Sequence, residues 1–342
     1  MVWDVAGLGN ALVDALVVVE DDALLEELGL TRGTMHPVDD ARWQEVYERV
    51  RHLGVTLDSG GSCANTLATV GHLGGRALYC GQVGDDAMGR LYAERIEQAC
   101  GGHALRVSSV APTGKCLSII SGRDAERTML TDLGAAVHLS ELGDFAGALQ
   151  QARFAHFTGY TLLDGPTRPV ALEAMRTAGR AGAILSLDTA DPFVVYTIRD
   201  LLWEVIEQHV DVLFVNAEEA RGLTDEEPER AILRLAERHV GIVVVKLGAR
   251  GSLVHHEGVV HHVDAWRVRA IDTTGAGDTY AGAFLYGLSR GWDVERCGQL
   301  ASRVAALTVS QIGAVVKDRA ALAEALRAIA PNRPAPLLAG HP

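Results

Sequence analysis

The sequence predicts an α/β protein, layered around a mainly parallel sheet. Three observations support this. Apolar runs of strand length, lacking the alternation of a half-exposed strand, recur along the chain. Helix-period segments fall between them, giving a βαβ rhythm. With 342 residues and 48% hydrophobic content, the chain can fill the core of one large domain or two ordinary ones.

In chain order, buried strands are expected at 3–8, 77–83, 155–158, 184–188, 212–216 and 242–247, and helices at 62–74, 86–99, 167–181 and 228–240. In such sheets ligands bind beyond the carboxyl ends of the strands, where Asn216 and Gly248 fall. Segments 12–19 and 115–131 break the rhythm: they are strand-like, with polar interruptions, and read as antiparallel strands of a small separate sheet. An Ala-rich helix is expected over 301–314, ending at Gly313. His255, His256, His261 and His262 flank a hairpin, where neighbouring side chains point to opposite faces, so they read as surface residues and not as a metal site. No repeat or linker divides residues 1–330, and the proline-rich end, 331–342, reads as a flexible tail.

Composition narrows the function. A net charge of −13 disfavours a nucleic-acid binder, which needs a basic surface. The longest apolar runs, 15–19 and 241–245, are far too short to span a membrane, and the first residues carry neither a basic stretch nor an apolar leader, so a cytoplasmic location is expected. Five cysteines, at 63, 80, 100, 116 and 297, show no zinc spacing and read as reduced and structural.

The run Asp272-Thr273-Thr274-Gly275-Ala276-Gly277-Asp278 precedes a small-residue and apolar segment that reads as a helix. Glycines at a loop-to-helix junction let the chain turn tightly and leave the first helical N–H groups, with the positive end of the macrodipole, facing outward. Such a junction binds anions. A carboxylate there would repel a phosphate, so Asp278 fits best as a base that takes a proton from an attacking hydroxyl. The alternative is a turn that merely starts a helix, with Asp278 complementing its dipole. Gly7 and Gly9 suggest a dinucleotide fingerprint, but Leu12 stands where a third small residue is needed, and strand-like sequence follows. No P-loop pattern occurs anywhere in the chain.

The 272–278 segment resembles the C-terminal signature of the PfkB or ribokinase family, which transfers the γ-phosphoryl of ATP to a hydroxymethyl group of a sugar or nucleoside. The resemblance implies a ribokinase-like three-layer α/β/α core with a small β-sheet lid, its strands inserted from about 12–38 and 103–131. It also implies Asp278 as catalytic base and Gly275, Ala276 and Gly277 as the anion hole. Gly7 to Asp14 is similar to the adenosine-kinase branch, which gives Asn10 and Asp14 the ribose hydroxyls. Gly60-Gly61-Ser62-Cys63-Ala64-Asn65 matches a substrate motif, making Gly60, Gly61 and Asn65 acceptor-binding candidates. The residues alone also allow a Gly-rich turn with a Ser cap. Gly81 to Gly89 matches a further family segment and reads as structural.

The resemblance sends Arg127, in a strand-like segment, to the transferring phosphate, and a guanidinium is well shaped to offset phosphoryl charge. Asn216 and Glu219 match the N-x-x-E motif that organises Mg²⁺, the glutamate acting partly through water, although Asn216 before two glutamates also reads as a helix cap. Lys246, Gly248 and Gly251 are similar to the nucleotide loop, with Lys246 where the family commonly has threonine. Adenine is expected along 301–314, and a monovalent cation such as K⁺ near Asp272 and Thr274. The implied partners are ATP, Mg²⁺ and a small-molecule acceptor, in a monomer or a lid-mediated homodimer. Pro112 to Cys116 with the motifs above favours a nucleoside; ribose, fructose or 2-keto-3-deoxygluconate remain alternatives, as does a noncatalytic nucleoside sensor.

Overall fold

The computed structural model describes residues 2–20, 22–124, 126–238 and 240–329, so the tail expected at 331–342 lies outside the described residues. Its strands are β1 (Trp3–Leu8), β2 (Leu12–Val19), β3 (Met35–Pro37), β4 (Thr56–Gly60), β5 (Ala77–Cys80), β6 (Gln82–Gly84), β7 (Arg106–Ser108), β8 (Gly114–Ser121), β9 (Arg127–Asp132), β10 (Ala152–Thr158), β11 (Ile184–Asp188), β12 (Val212–Asn216), β13 (Ile242–Lys246), β14 (Ser252–His256) and β15 (Val259–Val263). Its α-helices are α1 (Ala23–Glu27), α2 (Asp40–Val50), α3 (Ser62–His72), α4 (Ala87–Cys100), α5 (Phe145–Leu149), α6 (Thr167–Arg180), α7 (Pro192–His209), α8 (Ala217–Thr224), α9 (Pro228–Ala236), α10 (Ala276–Ser289), α11 (Val294–Val309) and α12 (Arg319–Ile329).

Eight strands form the central sheet in the order β15-β14-β13-β12-β11-β10-β1-β5, parallel from β13 to β5 with an antiparallel hairpin at one edge. Successive strand residues feed opposite faces: Val212, Phe214, Ile242 and Val244 enter the core under α3, α10 and α11, while Leu213, Val215, Val243 and Val245 enter the one under α6 and α9. The result is the expected three layers. The four histidines lie on the edge hairpin, and no cluster of metal-ligating side chains is present among the described residues. None of the described helices is long and apolar enough to cross a membrane, and all five cysteines are buried and unpaired.

The second sheet, β3-β9-β8-β2-β4, is the lid. It is mixed and not antiparallel as expected: β2 pairs β8 in parallel, whereas β8 with β9 and β2 with β4 are antiparallel. It also recruits β4, outside the segments expected to supply it. Its outer face packs Ala15, Val17, Leu117, Ile119 and Leu130 against Leu25 of α1 and Trp43 and Val46 of α2. The buried ammonium of Lys115 ties these layers together, bonded to Asp40 at 2.6 Å and Asp132 at 2.9 Å and lying 5.2 Å from the Trp43 ring.

Two expected elements are corrected. The strand 77–83 breaks at Gly81 into β5 and β6, which belong to different sheets; a Cβ at Gly81 would come within 2.8 Å of the Gly9 carbonyl oxygen. The helix expected over 301–314 is α11, which begins earlier because Asp293 caps it by accepting the Arg296 N–H. It ends at Val309, whose carbonyl oxygen instead receives the N–H groups of Ile271 and Asp272.

Candidate active site

The site is assembled where α3 crosses α10. The crossing is close because Gly282 has no side chain: a Cβ there would collide with the Thr66 carbonyl and lie 2.8 Å from Thr69 Cβ. Gly71 performs the same service between α3 and Ala99 of α4. The start of α3 is thereby brought onto the start of α10. Ser62 Oγ donates to one carboxylate oxygen of Asp278 at 2.6 Å and Asn65 Nδ2 donates to the other at 2.9 Å, while Thr66 Oγ1 donates to the Asp278 carbonyl. Burial pushes the Asp278 carboxyl above its ordinary value, and these two donors pull it back. Asn65, expected on the acceptor's hydroxyls, is bonded to Asp278. Ser62, a cap only in the alternative reading of this turn, also bonds Asp278 and lines the cavity beside it.

Gly275 precedes α10 with φ +72°, and a Cβ there would collide with Ala314, so glycine is required. The Ala276 N–H turns back to the Thr273 carbonyl at 3.3 Å. Two cavities meet at this helix end. One, of about 480 Å³, is lined by Leu12, Asp14, Cys116 and Thr131 of the lid, by Gly61, Ser62, Asn65 and Tyr160, and by Asp188, Asn216, Glu219 and Asp278. The other, of about 580 Å³, is mostly apolar and runs from Lys246, Gly248 and Gly251 past Trp266 and Val268 to Ser302, Ala305, Ala306 and Val309 of α11.

The structure separates the acceptor candidates. Asp14 faces the first cavity; burial raises its carboxyl to about 7, against the neighbouring Arg127 and with help from Asp58 and Asp278. Gly60 stands behind Asp14 and leaves room for its carboxylate, and Gly61, at φ +96°, leaves room for the Asn10 carbonyl. Asn10 itself is absent from the cavity lining, and its Oδ1 is buried without a partner. Pro112 to Cys116 also splits. Thr113 and Lys115 are structural, Thr113 bonding the Asp86 carboxylate that caps α4, and only Cys116 reaches the cavity.

Arg127 crosses from the lid to the loop before α10, where its guanidinium bonds the Asp272 carboxylate and Thr274 Oγ1. Asp272 also accepts the N–H groups of Thr274 and Gly313, each at 2.9 Å. The carboxylate expected to serve a monovalent cation is thus occupied by an arginine of this chain. The arginine expected on the phosphate is in turn anchored to the Asp272–Thr274 loop before α10.

Asn216 caps α8 in a reciprocal box with Glu219: its Oδ1 accepts the Glu219 N–H at 2.9 Å while Glu219 accepts the Asn216 N–H at 2.7 Å. Thr189 Oγ1 donates to the same carboxylate at 2.7 Å. Glu219 is 1% exposed, and burial raises its carboxyl. So enclosed, it suits a metal's water shell and not direct ligation. Lys246, at the end of β13, bonds Asp188 at 2.6 Å. Burial would lower its ammonium, but Asp188, Glu219 and Asp278 outweigh that and raise it. Asp188 and Tyr160 went unnoticed in the sequence; the signal for Asp188 was its place at the carboxyl end of a buried strand.

A carboxylate at a helix start, between a polar pocket and an apolar one, defines a phosphotransferase acting on a hydroxyl group. The chain belongs to the family described as pfkB family carbohydrate kinase, which matches residues 35–320. The crystal structure of adenosine kinase from Sinorhizobium meliloti is similar at 33% identity and TM-score 0.83, covering 96% of this chain and 100% of that one. A probable sugar kinase from Rhizobium etli CFN 42 is similar at 32% identity and TM-score 0.84, with 96% and 98% covered. Adenosine kinase of Saccharomyces cerevisiae is 26% identical over 90% of this chain and 94% of its own.

Proposed function

We propose that this kinase phosphorylates the primary hydroxyl of a nucleoside, adenosine favoured, with ATP as donor. The observation that carries the reading is Asp278, gripped by Ser62 and Asn65 at the point where a lid-covered polar cavity meets an apolar one. In this reading the donor's adenine lies along α11 between Ala305, Ala306 and Val268, with Gly248 and Gly251 against its phosphates. The acceptor lies under the lid, its ribose hydroxyls on Asp14 and its base toward Leu12, Cys116 and Thr131. A cavity of about 480 Å³ has room for a nucleoside and not only for a free sugar.

Asp278 takes the proton of the acceptor's CH₂OH as the phosphoryl group passes in line to that oxygen, and the amides at the start of α10 hold the developing charge. Arg127 supports this charge through the Asp272–Thr274 loop and, on lid closure, keeps water out. Mg²⁺ fits beside Asn216 and Glu219 with most of its ligands from water and phosphate, where it would neutralise the phosphate oxygens. A free sugar is the second reading, favoured by the Rhizobium etli neighbour and by Tyr160 being the cavity's one aromatic residue among those described.

The test is ADP formation with Mg²⁺ across adenosine, other nucleosides, ribose, fructose and 2-keto-3-deoxygluconate. Turnover of adenosine, lost by about 10²–10⁴-fold in Asp278→Asn, supports the nucleoside reading. Turnover of a free sugar alone replaces it with the second, and tight nucleoside binding without turnover by the wild type would make the chain a sensor.

A further inference from the structure

Three residues line both cavities: Lys246, Gly248 and Gly277. Two are glycines, so Lys246 is the one side chain among them. Its side chain is 15% exposed, and its ammonium commits one of three donors to Asp188 at 2.6 Å. Asp188 is itself fixed, accepting the Ala190 N–H at 2.9 Å on its other oxygen. A Cβ on Gly277 would lie 3.2 Å from Lys246 Nζ, which places the ammonium against the first turn of α10. A cation at the positive end of a helix is unfavourable in isolation. It becomes favourable when an anion lies against both, and Lys246 and Gly277 each line the two cavities.

We propose that Lys246 is a catalytic residue of the transfer, its ammonium contacting the terminal phosphoryl group of the donor as that group crosses between the cavities, with Asp188 as its positioning residue. The proposal rests on the kinase reading above. The bond from the terminal phosphorus to the β-phosphate oxygen breaks, a bond to the acceptor oxygen forms, and the hydroxyl proton goes to Asp278. Lys246 keeps its proton throughout and supplies fixed charge.

The experiment is calorimetric binding of ATP and of ADP without Mg²⁺, to the wild type and to Lys246→Met, together with steady-state kinetics. ATP affinity should fall about tenfold or more while ADP affinity changes little, because ADP lacks the contacted group. With Mg²⁺, kcat should fall about 10²–10³-fold at unchanged acceptor KM. Since Lys246→Met leaves Asp188 buried and unpaired, Lys246→Met/Asp188→Asn serves as the folded counterpart and should show the same selective loss. An equal loss of ATP and ADP affinity, or none, overturns the proposal. A wild type that forms no ADP with any acceptor defeats the kinase reading instead, while the ATP-to-ADP comparison still decides the lysine contact.

Discussion

Among single residues, Asp14 has the clearest dependence on pH. Its carboxyl is raised to about 7 by burial, so above that pH it can accept hydroxyl hydrogen bonds as a carboxylate, and below it one oxygen carries a proton. Acceptor KM should rise as pH falls through about 7, and Asp14→Asn should abolish the trend while raising KM about tenfold at pH 8. The sign for stability is opposite. A folded value above the ordinary carboxylate one means that the stabilisation is fully present below the unfolded value and is lost as pH rises through about 7. Asp14→Asn should therefore raise Tm at pH 8 and leave it near the wild type at pH 4, as thermal melts at the two pH values would show. Asp272 yields a second residue-scale expectation. With its carboxylate on Arg127, turnover should be indifferent to exchange of Na⁺ for K⁺, and activation by K⁺ should appear only in Arg127→Ala, read by initial rates in the two salts.

Among elements, the α3–α10 pair and the lid do different work. The pair holds Asp278 in place, and its packing is costly to disturb. Phe284 of α10 is fully buried, edge-on to Phe214 of β12 with ring centroids 5.6 Å apart. Phe284→Ala should cost about 3–5 kcal/mol in urea unfolding, with cavity and lost contact adding. The lid reaches the core through Arg127, and also through Lys317 to Asp58 of β4. Arg127→Ala leaves the buried Asp272 unpaired, so amide exchange should accelerate at 270–275 and 311–315 before anywhere else in the core. Uniform acceleration across the central sheet would mean that the arginine supports the whole fold and not this loop. The pattern was legible for elements with strong local signals: β1, β11 and β12 lie where apolar runs and turn residues put them. It failed at Gly81 and at the end of α11, where the deciding contacts are with backbone groups far away in sequence.

For the whole molecule, the outer face of the lid decides how it meets other copies. A lid-mediated dimer needs that face open, but α1 and α2 cover it with Leu25, Trp43, Val46 and Val50. Light scattering should therefore find a monomer; a concentration-independent dimer would mean that another surface pairs the chains. What the sequence determined by itself was local and repetitive. The βαβ rhythm, the Gly-rich helix start and the carboxylate at its first turn depend on neighbours a few residues away. They sufficed to put Asp278 in the first turn of a helix, and Asn216 and Glu219 at the carboxyl end of a buried strand, in a layered α/β fold. What only the tertiary structure decided was which groups face one another. Asn65 bonds Asp278, Asp272 takes an arginine 145 positions away, and Gly60 and Gly61 make room for the Asp14 carboxylate and the Asn10 carbonyl. Lys246 becomes the side chain between two cavities only once β13 is set beside β12 and α10 has packed against the sheet. The physical reason is range: secondary structure answers to near neighbours, whereas a hydrogen bond between side chains answers to the packing of the elements that carry them.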